Sequence, residues 1–172
     1  MKDYILKNGL LLGAFLVLLS IISYLFGVDF KLSFAWTLIE IFAPFFLLIF
    51  LLLGYKQMNQ GFLTYGHAFI VCFGLFATSS FIHTFFKVLL FNYIDPSFSL
   101  MLQEGTIQKF IEIMSDVFPP DALETMITEL ETHDNFSVTN LTKGFTSMLF
   151  IYAFLSLLIA VFIKKDPPLE IE

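Results

Sequence analysis

In the segment Ser79-Ser80-Phe81-Ile82-His83-Thr84-Phe85-Phe86-Lys87, hydroxyls, an imidazole and an amine interrupt a run of apolar residues. At about 100° per residue, Cys72, Phe76, Ser79, Ser80, His83 and Lys87 fall within about a 100° arc of one helix face. Hydroxyl, imidazole and amine are the components of nucleophilic and proton-transfer sites. One helix face, however, seldom supplies both a nucleophile and its activating base at reaction geometry. The same residues serve equally well as hydrogen-bonding partners between helices. His67, His83 and His133 are separated by 16 and 50 residues, with no second ligand near any of them, so the spacing argues against a metal site. The single cysteine, Cys72, precludes an intramolecular disulfide. The residues therefore suggest neither a catalytic set nor a cofactor.

A lysine inside an apolar stretch needs a partner, because a charge at the middle of a bilayer costs about 2.5–3.5 kcal/mol on insertion scales. Lys87 precedes Tyr93 by six residues, about 9 Å along a helix. Glu40, the one acid within an apolar stretch, follows Phe34 by the same interval. On antiparallel helices the two lie at one depth, so an ion pair between Glu40 and Lys87 is expected. Pro44 adds a helix kink and withholds the N–H that the Glu40 carbonyl would receive. Alternatives for Lys87 are snorkelling to the headgroups or lining a water-filled path or substrate site. For His83, one turn deeper, Tyr152 and Ser156 are the expected polar neighbours.

These residues must be held by elements suited to lipid. Charged residues make up 14% of the 172, against roughly a quarter in soluble domains, and 24 are phenylalanine. Four stretches, at about 5–27, 34–55, 65–93 and 143–163, are long enough to cross a hydrocarbon core as helices. The first is longer than a signal-peptide core and lacks a cleavage pattern, so it is read as a span. Gly9-Leu-Leu-Leu-Gly13 in the first span and Ser156 to Ala160 in the last offer small residues for helix packing. Either can seat a helix of the same chain or of a second copy, so a homo-oligomer is compatible with the pattern.

Lys2, Lys7, Lys56, Lys164 and Lys165 flank the spans on one side, and Lys31, Lys109 and Lys143 on the other. The bias predicts that both termini are cytoplasmic. The 94–142 segment then lies outside. Between Asp95 and Asn140 it carries nine acids and one lysine. Ile107, Phe110, Ile111, Met114, Val117 and Phe118 recur at helical spacing, and Pro119-Pro120 ends that helix. Asp121 is expected to cap a second helix containing Leu123, Met126, Ile127 and Leu130. The expected fold is all-α: one integral membrane four-helix bundle with an acidic outer loop of two short amphipathic helices.

Several landmarks occur in order along the chain. Asn8-Gly9 and Gly13 open the first span, Gly61-Phe-Leu-Thr-Tyr-Gly-His-Ala-Phe69 opens the third, and Tyr93-Ile-Asp-Pro96 closes it. Over nearly its whole length the chain resembles domain-of-unknown-function 4199, a family of small four-span membrane proteins from Bacteroidota. The resemblance implies an inner-membrane location and no known activity, so it assigns no functional residues.

Lipid is the first expected partner, and another membrane or periplasmic protein is expected to dock through the 97–140 loop. Nucleic acid is not expected. The function expected is a non-enzymatic interaction or structural subunit. The alternative is a small transporter or channel subunit with a polar path at Glu40, His83 and Lys87.

Overall fold

The computed structural model describes residues 1–132 and 134–168, so His133 lies outside the described residues. Among the described residues seven α-helices follow in order: α1 (Lys2–Phe26), α2 (Val28–Lys31), α3 (Phe34–Met58), α4 (Tyr65–Leu89), α5 (Pro96–Met114), α6 (Pro120–Thr132) and α7 (Val138–Ile163). Among the described residues β-pairing is limited to one isolated antiparallel bridge, Leu63 to Lys165. Four helices among the described residues are long and apolar enough to cross a membrane: α1, α3, α7 and the continuous segment Tyr65–Ile94. Many of their large side chains point outward, Phe50, Phe154 and Phe162 among them, as expected where the surrounding solvent is hydrocarbon.

Helix ends follow local chemistry. The Ser33 hydroxyl accepts the Trp36 N–H to start α3, and the Ser137 hydroxyl accepts the Asn140 N–H to start α7. That cap begins α7 five residues ahead of the apolar stretch expected from 143, because the polar turn Val138–Thr142 already has a satisfied helix start. Gly27, with φ at 89°, ends α1 and turns the chain into α2. Pro44 sits inside an unbroken α3.

α4 is the hub, packed extensively against α1 and α7 and more lightly against α3. Its seam with α1 is parallel and repeats every four residues. A Cβ on Gly74 would come within 2.7 Å of Ile5, one on Gly9 within 2.6 Å of Thr78, and one on Gly13 within 2.7 Å of Ile82. Each contact thus seats a side chain of one helix in the space left by a glycine of the other. On the opposite side, α7 runs antiparallel to α4, with Tyr152 stacked on Phe76 and Phe145 edge-on to Phe81. Near the chain termini α3 closes on the other helices around Leu12, Leu48, Leu52, Val71, Leu75 and Ala160, all buried. There the Tyr4 hydroxyl donates to Leu51 O and Lys56 Nζ to Ile163 O.

The helical cap, α5 and α6, covers the other end. α4 finishes in a π-turn, Leu90–Ile94, and Asp95 then directs the chain. One Asp95 oxygen accepts the Phe98 N–H, capping α5 ahead of Pro96, and the other accepts the Tyr24 hydroxyl at 3.1 Å. Proline is favoured at a first helical position because its missing N–H would be unsatisfied there. Phe98 and Leu102 are buried with Leu90 and Phe91, flanked by Tyr24, Val28 and Leu32. α5 therefore starts eleven residues before Ile107. α6 starts at Pro120, which places Asp121 within its first turn rather than at the cap.

The seam makes a direct prediction for thermal unfolding in detergent. Gly13→Val should destabilise the fold by about 1–3 kcal/mol through overpacking. Gly144→Ala, where an added Cβ meets nothing within 4 Å, should leave Tm unchanged or slightly raised.

Candidate functional site

α3 and α7 converge near the termini and part toward the cap. Between them, with α1 and α4 as its back wall, lies a cleft of about 720 Å³. The polar stripe of α4 faces into it: Ser80, His83, Thr84 and Lys87 all line the cleft. α7 and the residues leading into it contribute Asn135, Asn140, Lys143, Ser147 and Tyr152, while Lys31 and Glu40 close the opposite side. Leu16, Leu19, Ile41, Phe145 and Met148 supply apolar wall.

The ion pair observed is not the one expected. Glu40 pairs with Lys31, whose Nζ reaches both carboxylate oxygens at 2.5 Å. The Trp36 indole N–H also donates to Glu40 Oε1 at 2.9 Å from one turn earlier on α3. The physical reason is the turn after α1. Gly27 and the single turn of α2 fold Lys31 back over the start of α3, where it reaches Glu40 before any side chain of α4 can. Lys109 of α5 donates to the Leu32 carbonyl and fixes the same turn from above. Lys87 therefore makes no hydrogen bond or ion pair among the described residues, although Lys31 and Glu40 lie within electrostatic range of it.

His83 also departs from expectation. Its Nε2 shares a 2.8 Å hydrogen bond with Ser20 Oγ of α1, not with Tyr152 or Ser156. Tyr152 lines the same cleft but is oriented by stacking on Phe76, with ring centroids 4.7 Å apart. Ser156 lies deeper, fully buried beside Cys72, and its hydroxyl makes no well-formed hydrogen bond among the described residues. Gly9 and Gly13 lie outside the cleft, in the seam that holds its back wall.

Ser20 and Trp36 are not marked by the sequence, in which Lys31 and Lys143 stand only as lysines flanking the spans. The four-residue spacing of Trp36 and Glu40 was a readable signal, since an indole N–H and a carboxylate one turn apart can meet. The spacing could not reveal Ser20, because its role depends on how α1 lies against α4.

The cleft offers cationic and neutral donors rather than a ligand set, and among the described residues no group of three or more His, Cys, Asp or Glu side chains is arranged to hold a metal ion. Ser20 and His83 have the spacing of a nucleophile and its base. The one carboxylate in the cleft among the described residues, Glu40, is occupied by Lys31 and Trp36 rather than orienting the imidazole.

A double-mutant cycle distinguishes the observed pair from the expected one. Unfolding in a denaturing detergent should give a coupling energy of about 1 kcal/mol or more between Lys31→Gln and Glu40→Gln. The coupling between Lys87→Met and Glu40→Gln should stay below about 0.5 kcal/mol.

A family model described as a protein of unknown function (DUF4199) matches residues 7–165. No curated protein and no solved structure matches the chain.

Proposed function

The chain belongs to this family of unknown function and is a multi-pass membrane protein, and from that premise we propose that it is a non-enzymatic interaction subunit whose acidic cap receives a basic segment of another protein. The observation that carries this reading is a groove of about 870 Å³ between α5, α6 and the approach to α7. Leu100, Ile107, Ile111 and Phe136 form its apolar lining, and Glu104, Glu131 and Asp134 bring three carboxylates to it. Apolar contact supplies affinity there, and the carboxylates select a Lys- or Arg-bearing partner. The cap also exposes Ile113 and Val117 beyond the groove, extending the apolar surface open to a protein.

A conducting path through Glu40, His83 and Lys87 has less support. The cleft ends where the buried layer around Leu12, Leu48, Leu75 and Ala160 begins. Catalysis by Ser20 and His83 lacks an orienting carboxylate among the described residues, since Glu40 is held by Lys31 and Trp36. We assign the protein to the bacterial inner membrane with both termini cytoplasmic and the cap in the periplasm. The lysine bias across the spans supports this orientation.

Two experiments test the proposal. A photo-crosslinking amino acid at Ile107, activated in native membranes, should capture one protein through a Lys- or Arg-rich segment. The combined Glu104→Lys, Glu131→Lys and Asp134→Lys variant should abolish that capture. Crosslinks confined to lipid, or capture that survives charge reversal, would refute the reading. For orientation, a Cys72→Ala background removes the one native thiol. A membrane-impermeant maleimide should then label Ser115→Cys in cells with a permeabilised outer membrane and leave Asn59→Cys unlabelled until the inner membrane is opened.

A further inference from the structure

The cleft between α3 and α7 has a charge imbalance that the protein itself does not resolve. Among the described residues three lysines (31, 87 and 143) line it against one carboxylate, Glu40. Lys31 consumes that carboxylate, leaving Lys87 and Lys143 as the uncompensated cations. Lys87 is the deeper of the two, only partly accessible and without a hydrogen bond or ion pair among the described residues. Lys143 stands exposed on the first turns of α7. Neutral donors stand in the same wall, Tyr152 and Ser147 among them. A cation held in a low-dielectric recess favours an anion beside it.

The surroundings specify what carries that anion. Ile41 and Met148 line the cleft and are themselves exposed on the lipid-facing surface of α3 and α7. An amphiphile can therefore place its anionic head at the lysines and its chains along these side chains. The aqueous approach is less favourable, because the cap carries nine acids against one lysine between Asp95 and Asn140, and its field repels free anions. Basic pockets between spanning helices are a recurring form of anionic headgroup recognition.

We propose that the cleft between α3 and α7 binds the phosphate headgroup of an anionic phospholipid, held by Lys87 and Lys143 and entered sideways from the bilayer. The site is separate from the groove of the cap and does not depend on the cap having a partner.

The test uses the full chain, purified in detergent and stripped of lipid. Dioleoylphosphatidylglycerol, dioleoylphosphatidylcholine and inorganic phosphate are titrated in turn, with binding followed by native mass spectrometry and stability by Tm. Phosphatidylglycerol should bind with defined stoichiometry and raise Tm, and neither of the other two should do so. Lys87→Gln with Lys143→Gln should weaken phosphatidylglycerol binding on the order of ten-fold, and Lys2→Gln, at the far end of α1, should leave it unchanged. Should the double variant fail to fold, Lys143→Gln alone must still weaken binding, since its side chain is exposed and supports no core contact. Equal binding of the two lipids, or affinity unaffected by Lys143→Gln, overturns the proposal. Equal stabilisation by inorganic phosphate reassigns the cleft to a free anion and overturns the lipid assignment.

Discussion

The structure depends on how closely α1 and α4 approach. Helices in hydrocarbon gain little from excluding lipid from one another, so association rests on van der Waals fit and on hydrogen bonds between helices. Here the fit comes from Gly9, Gly13 and Gly74, each of which admits a side chain of the facing helix where a Cβ would collide. The three contacts share one register, so the seam defines both the distance and the alignment of the two helices. Farther along, that alignment brings Ser20 to His83 and Tyr24 to Asp95. The polar contacts at the cap end are thus consequences of apolar packing at the other end.

Asp95 carries the alignment from the membrane-spanning helices into the cap. Its carboxylate starts α5 and also receives the hydroxyl of Tyr24, so the direction of α5 is tied to the end of α1. Gly105 of α5 then packs against Val28 and Leu32, and Lys109 reaches the Leu32 carbonyl. The turn between α1 and α3 is held from both sides. Lys31, which that turn carries, is thereby positioned over Glu40. One half-buried carboxylate satisfies one lysine and one indole, and the unequal count of charges in the cleft follows from that allocation.

The cleft itself reflects an uneven bundle. α4 packs against all three other spanning helices, while α3 and α7 join one buried cluster near the termini, with Leu48, Leu52 and Ala160 in it. Toward the cap the space between them is the cleft, backed by Leu16, Leu19 and Ser20 of α1 and by the polar face of α4. The residues that interrupt the apolar run of α4 are therefore concentrated where the bundle is open. This placement reconciles a lysine and a histidine with a helix otherwise suited to lipid.

The four spans, the helical class and the acidic cap were legible because each depends on local composition: about 20 apolar residues in a row, or acids and apolar residues at helical period. The glycines of the first span likewise announced a close helix contact, though not the helix they would meet. Matching depth suggested Glu40 and Lys87 as partners, but depth is one coordinate of three. The azimuth of each helix and the path of the Gly27–Ser33 turn supplied the other two, and they gave Glu40 to Lys31. In the same way His83 took Ser20 from a helix whose sequence carries no ionisable signal at that level. Sequence by itself determined which segments enter the membrane, because transfer from water to lipid is set residue by residue. Only the tertiary structure decided which buried polar groups meet, because that choice is made by packing contacts between residues far apart in the chain.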